Sequence, residues 1–263
     1  MDDVYRFFWN QLADEWLAKG RQRLWRAHHD AVVRDWLTGW LRQIGPSRML
    51  KTDLFEEAIG DGLARSVEAG GRGFIGIDIA AAVARGAARH AAARVVLADV
   101  RRLPFRDDAF DCVVSTSTLD HFETVRELRG SVEEILRVLR PSGQILLTLD
   151  NLSNPVVRLR NSLACEALRR VGVVPYRLGV SCTARGLLRL LGEVGAGVLE
   201  MTAILHCPRI AAVWLSGVVD RLPATAVAPR AALIRFLRCW ETLGRCPTRL
   251  VTGYYLAVRA VKR

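Results

Sequence analysis

Apolar residues recur at helical spacing through the first 44 positions: Val4, Phe7, Phe8, Leu12, Trp16 and Leu17, then Leu24, Trp25, Val32, Val33, Trp36, Leu37 and Trp40. Gly20, Gly39 and Gly45-Pro46 punctuate this stretch. After Pro46 short apolar runs alternate with helical patterns. Strands are predicted at 47–52, 73–78, 94–99, 110–115 and 144–149, the last entered through the turn Pro141-Ser142-Gly143. Helices are predicted at 55–68, 80–89 and 125–139, the third with Leu128, Val132, Ile135, Leu136 and Leu139 on one face. Further on, 154–170 and 183–194 read as helices and 197–205 as a strand. The span 207–247 reads as helical with a break around 223–229, and 253–259 as a last strand. Such alternation predicts an α/β fold, Rossmann-like, with a seven-stranded mostly parallel sheet and helices on both faces. Residues 1–44 form a predicted N-terminal helical cap, and 45–263 the sheet domain with helical insertions at about 151–182 and 206–250.

Composition narrows this picture. The chain is 51% hydrophobic and 25% charged, which is globular rather than disordered. Its formal charge is +11, and nearly all the cations are Arg; Lys occurs only at 19, 51 and 262. That balance fits nucleic acid, an anionic membrane surface, an acidic substrate or a plain bias toward Arg. The Arg residues are scattered rather than blocked, which argues against a nucleic-acid partner. Six Cys form no CxxC pair, and no His spacing completes a metal site. Reduced thiols and a cytoplasmic location are the expectation. Met1-Asp2-Asp3 lacks the basic start of a signal peptide, and no apolar run reaches the ~18 residues of a membrane span. His28, His29 and His90 read as helix-surface residues.

In an open α/β sheet, ligands bind at the carboxyl ends of the strands. Asp53, Asp78 and Asp99 fall at or just after three such ends. An acid after the second strand can accept from both hydroxyls of an adenosine ribose, and Asp99 from an adenine amino group. Such acids also serve simply as turn or helix-cap residues. After the fourth strand, Asp120 and His121 are the catalytic candidates; His121 has a packing or capping role as its alternative. Asn151 and Asn154 follow the fifth strand and can orient a substrate or merely stop the strand. His206, after the sixth strand, is a weaker substrate candidate.

The run Ala98-Asp99-Val100-Arg101-Arg102-Leu103-Pro104-Phe105, continuing through Asp107-Asp108-Ala109-Phe110-Asp111 to Ser115, resembles class I methyltransferases of the ubiquinone-biosynthesis-like group (methyltransferase type 11). Residues 131–144 resemble that group's next helix and turn, with Ser142 where a Gly is usual. The resemblance covers roughly 48–150 and implies S-adenosylmethionine as cofactor. It implies Asp78 at the ribose, Asp99 and the Val100 backbone at adenine, and Ser115 and Thr116 near the methionine end. The first loop departs from the pattern: Met49-Leu50-Lys51-Thr52-Asp53-Leu54-Phe55-Glu56 lacks the usual glycines, and Gly60 and Gly62 come late. Either Lys51, Thr52, Asp53 and Glu56 hold the methionine end with their side chains, or cofactor binding has been lost.

The apolar appendages, rich in Trp9, Trp16, Trp25, Trp36 and Trp40 and in segments 210–215 and 233–237, fit a cover over an apolar pocket. Because they also carry Arg, peripheral contact with an anionic membrane is a second reading. The expected function is methyl transfer to a small apolar or amphipathic molecule, at oxygen. The alternatives are an RNA methyltransferase and a non-catalytic binding subunit. No Asn-Pro-Pro-aromatic motif, typical of base amino methylation, follows the fourth strand.

Overall fold

A computed structural model describes residues 2–19, 23–44, 48–60, 62, 73–90, 94–116, 118–161, 179–223 and 225–263. The strands are β1 (Met49–Lys51), β2 (Phe74–Asp78), β3 (Arg94–Leu97), β4 (Phe110–Ser115), β5 (Leu139–Asp150), β6 (Ala196–Ile204) and β7 (Tyr255–Lys262). They form one seven-stranded sheet in the order β3-β2-β1-β4-β5-β7-β6. The first five run parallel, and β7 runs antiparallel between β5 and β6. The chain winds outward from β1 to β3 and then returns to β4, so the switch point lies between β1 and β4.

The period-two pattern divides the strand residues between two apolar layers. Met49, Cys112, Val114, Leu146 and Ala257 face one layer. It is completed by α2 (Arg23–Ile44), α4 (Ala81–His90), α8 (Arg209–Asp220) and α9 (Val227–Trp240). Leu50, Val113, Ile145, Leu147, Leu256 and Val258 face the other. There α5 (Val125–Val138) and α7 (Ala184–Glu193) supply Leu128, Val132, Ile135, Leu187 and Leu191. The remaining α-helices among the described residues are α1 (Asp2–Lys19), α3 (Phe55–Ile59), α6 (Pro155–Arg160) and α10 (Arg249–Thr252).

Two local devices explain why the segment 98–145 is so regular. Thr124 and Glu127 make a reciprocal capping box that starts α5. From α5, Arg137 donates to the carbonyls of Leu103 and Phe105 and to the carboxylates of Glu134 and Asp107, while Glu134 accepts from the Leu103 amide. The connection between β3 and β4 is thereby clamped onto the helix that follows it.

Most predicted elements stand within a few residues of their expected ends. The helix expected at 55–68 is seen only as Phe55–Ile59, and 63–72 lie outside the described residues. The part of the 154–170 helix beyond residue 161 and Cys165 lie outside them too. The five described cysteines, Cys112, Cys182, Cys207, Cys239 and Cys246, carry free thiols. The fifth strand starts at Leu139 instead of residue 144, because Phe110↔Leu139 and Cys112↔Gln144 pair on both sides of the expected turn. The turn is a kink within the strand. A Cβ on Gly143 would stand 2.7 Å from the Arg140 carbonyl oxygen, and Ser142 takes φ 63°.

A left-handed Ser142 carries a cost that glycine escapes. Ser142→Gly is expected to stabilise the fold by about 1 kcal/mol, roughly 2–4 °C in Tm, whereas Ser142→Val lowers Tm. Thermal unfolding monitored by circular dichroism checks both.

Candidate active site

The carboxyl end of β1 places Lys51 in the interior, almost without solvent contact. Its ammonium donates to Glu57 Oε2 at 2.9 Å and to the Asp53 carbonyl. Burial alone would lower the Lys51 pKa, but Glu57, Asp53 and Glu56 outweigh it and hold the ammonium above its ordinary range. Asp53 Oδ1 also accepts from the Phe55 amide at 2.8 Å, an Asx turn just ahead of α3. Gly62 has φ 48°, and a Cβ there would lie 2.5 Å from Glu57 Oε1. The late glycine therefore lets backbone approach the buried carboxylate.

Asp78 ends β2 facing the same loop. Its Oδ2 accepts from the Leu54 amide at 3.1 Å and its Oδ1 from the Ala80 amide at 2.8 Å. Each oxygen keeps a second lone pair for a ligand hydroxyl. Burial and the neighbouring Asp53 charge push the Asp78 carboxyl up to about 7. Burial likewise pushes Asp53 up to about 6 and Glu56 up to about 7, against the pull of Lys51. Four carboxyl groups, Asp53, Glu56, Glu57 and Asp78, thus surround Lys51, and Glu57 already takes it. Glu56 also faces α2, where it feels the charges of Arg26 and Arg34 and lies 3.9 Å from His29 Nδ1.

Between β1 and β4 the hydroxyls form a small network. Thr52 Oγ1 donates to Ser115 Oγ at 2.9 Å and lies 3.0 Å from Thr118 Oγ1. Thr116 is buried beside them, and its carbonyl accepts from Thr118. Lys51, Thr52, Asp53, Glu56, Asp78, Ser115 and Thr116 are therefore brought to one edge of the sheet. Asp99 is placed differently: Arg101 holds its carboxylate with Nε and Nη2 at 3.0 and 2.6 Å, and Val100 is buried next to it.

A second acidic group lies at the ends of β4 and β5. Asp120, in the 3₁₀ turn Leu119–His121, is buried, and among the described residues its Oδ1 has no hydrogen-bond partner. Asp150 ends β5, also buried, with Oδ1 unpartnered among the described residues and Oδ2 accepting from Arg160 of α6. Burial, then the Asp120 charge, pushes the Asp150 pKa up against the pull of Arg160. Arg160 also donates to the Tyr254 hydroxyl at 2.5 Å, and Arg209 lies over the Tyr254 ring at 4.6 Å. The His121 ring packs on Trp9 of α1, centroids 4.6 Å apart. Asn10 of the same helix accepts from the Ala81 amide at 2.7 Å, so α1 crosses the carboxyl edge of the sheet.

The predicted substrate residues are engaged in holding the fold. Asn151 Nδ2 donates to the carbonyls of Leu250 and Gly253, and Asn154 Nδ2 to that of Thr252. Asn154 Oδ1 caps α6. His206 has one ring nitrogen 2.8 Å from Thr252 Oγ1 and the other 3.0 Å from the Ala203 carbonyl. His28, expected on a helix surface, is instead fully buried, its Nε2 3.6 Å from both Cys207 Sγ and Glu241 Oε1. Glu241 in turn accepts from the amides of Leu205 and His206, so this trio ties α2 to the end of β6. Burial and Glu241 push the Cys207 thiol up to about 12. Sequence reading gave no role to Glu57, Arg160 or Arg209 and none of its own to Thr118, and of the strand-end pair Asp150-Asn151, read as able to orient a substrate, it carried only Asn151 forward. Asp150 carried a signal, since it ends its strand as Asp78 does; the others have none in local spacing.

Residues 56–147 match the methyltransferase domain family. Over 60 residues the chain is 37% identical to "Probable tRNA methyltransferase 9B" of Mus musculus, covering 23% of this chain and 13% of that protein. Over 109 residues it is 30% identical to "Arginine-hydroxylase NDUFAF5, mitochondrial" of Danio rerio, covering 41% of this chain and 33% of that one. The chain thus spans less than two thirds of these relatives. Geranyl diphosphate methyltransferase in complex with S-adenosylmethionine superposes with TM-score 0.54 at 13% identity, covering 88% of this chain and 84% of that one. The seven-stranded fold is the class I methyltransferase fold, as expected. The expectation against a nucleic-acid partner finds no support here, since one relative is named for tRNA.

Glu57→Gln removes the carboxylate that bonds the buried Lys51 ammonium but leaves Asp53 and Glu56 beside it, and is expected to cost about 2–3 kcal/mol. Lys51→Met instead leaves the buried carboxylates of this loop without their cation and is expected to cost about 3–5 kcal/mol. Urea unfolding midpoints of the three proteins measure this.

Proposed function

We propose that this chain, which carries a class I S-adenosylmethionine-dependent methyltransferase domain, transfers the methyl group to a small apolar or amphipathic acceptor, at oxygen. The observation that carries the reading is the surplus of carboxylates around Lys51 at the ends of β1 and β2. A ligand bearing an ammonium and a sulfonium supplies the positive charge that this loop lacks. In place of a glycine-rich turn, Asp53 and Glu56 receive the ammonium of the methionine end, and Thr52, Ser115 and Thr116 line it. Asp78 receives the ribose hydroxyls on its remaining lone pairs. The Val100 backbone and Asp99 border the adenine. When bound, the cofactor supplies an electrophilic methyl group.

Asp120 and Asp150 support the acceptor side of the proposal. A buried carboxylate oxygen without a donor is costly, and an acceptor hydroxyl would satisfy it. Asp120 takes the hydroxyl proton, and His121, held by Trp9, positions the acceptor. The rings of Trp9, Trp25, Tyr254 and Tyr255 supply apolar cover. RNA is the second reading, favoured by the tRNA-named relative and the formal charge of +11.

Isothermal titration with S-adenosylhomocysteine tests the cofactor site. Binding is expected to tighten as pH rises through about 6 to 7, because Asp53, Glu56 and Asp78 lose their protons there. Asp78→Ala weakens it tenfold or more. Absence of binding at high micromolar ligand would sink the enzyme reading and, with a stable hetero-complex, favour the binding-subunit alternative. Without ligand, the folded state holds these protons more tightly than the unfolded chain. Its stability therefore falls as pH rises from the ordinary carboxylate range to about 7, and S-adenosylhomocysteine offsets the loss. Homocysteine release, screened with hydroxyl-bearing small molecules and bulk tRNA side by side, decides the acceptor. Asp120→Asn is expected to lower kcat by ~100-fold or more and leave cofactor affinity unchanged.

A further inference from the structure

Helix α8 is apolar on both faces. Ala212 and Ser216 turn inward, while Ile210, Trp214 and Val218 stand outward at successive four-residue steps. Ile210 is 76% and Trp214 67% exposed. Leu222 and Val227, in the turn to α9 and at its start, and Phe236 on α9 are exposed as well. Arg230 closes this hairpin by donating to the carbonyls of Leu222 and Pro223. An outward apolar stripe of this kind, with a tryptophan in it, calls for a partner.

The charges say which partner. Residues 208–240 contain Arg209, Arg221, Arg230, Arg235 and Arg238 against the single acid Asp220. Asp220 is turned toward α2, where it accepts from the Leu24 amide, and Arg209 is turned toward Tyr254 and Trp25. Arg221 and Arg235 are exposed in the same hairpin, whereas Arg238 pairs with Asp35 of α2 at 3.5 Å. Pairing this face with a second copy would set the same cations against one another. A nucleic acid would meet the arginines but leave Ile210 and Trp214 in water. A bilayer with anionic headgroups covers the apolar side chains and neutralises the arginines together. No helix among the described residues is long and apolar enough to cross a membrane.

We propose that the α8–α9 hairpin docks on the surface of an anionic lipid bilayer. The full chain is expected to co-sediment with phosphatidylcholine vesicles containing about 30% phosphatidylserine at about 0.1 M salt, and to stay largely in solution with phosphatidylcholine alone. Ile210→Ser with Trp214→Ser is expected to weaken binding at least ~tenfold without moving Tm, since both side chains are exposed. Arg221→Ser with Arg235→Ser weakens binding independently, and Phe236→Ser supplies a second apolar variant should the first fail to fold. No binding to the anionic vesicles overturns the proposal, as does binding that Ile210→Ser with Trp214→Ser leaves unchanged. A dimer in sedimentation velocity that those substitutions dissolve overturns it in favour of a second copy. These readouts need no methyl acceptor, so they stand or fall apart from the proposed reaction.

Discussion

A lysine ammonium cannot sit inside a protein without carboxylates around it. Lys51, at the end of β1, is among the largest fully buried side chains of this molecule, and the shape of the first loop follows from it. Glu57 must come inward from α3 to meet the ammonium, so α3 lies close over the strand end. Gly62, left-handed at φ 48°, clears that carboxylate because it has no Cβ. Asp53 and Glu56 are carried in with Glu57, and Asp78 holds the loop through the Leu54 amide. A loop usually shaped by glycine is shaped here by charge.

Charge balance then divides the carboxyl edge of the sheet in two. Around Lys51 the acids outnumber the cation, which suits a cationic ligand. Around Asp150 the cation Arg160 is present, but among the described residues Asp120 and Asp150 each keep an oxygen unpartnered. The Thr52–Ser115–Thr118 hydroxyls join the two groups at the switch point. Helix α1 spans both, with Asn10 on α4 and Trp9 on His121. The N-terminal helices therefore form part of the edge where the chemistry is placed.

The strand and helix pattern was legible because burial imposes it: alternating strand residues face two apolar layers, and α5 needs one apolar stripe to close the second. The acids at strand ends were legible for a similar local reason, since a polar residue ends an apolar run. The kink at Ser142 and Gly143 looked like the start of a strand, because only pairing with β4 shows that the strand continues through it. His28 looked exposed, because only the β6 end and Glu241 enclose it.

By itself the sequence determined the alternating α/β order, the class of fold and the set of carboxylates available at the strand ends. Tertiary structure decided which of them are free to act. Asn151 and Asn154 are taken up by backbone carbonyls about a hundred residues away and His206 by Thr252, whereas Asp120 and Asp150 are left with oxygens unfilled among the described residues. The reason is physical: a residue's periodicity is written in its neighbours along the chain, but its hydrogen-bond partners come from segments distant in sequence, and they exist only once the layers have packed.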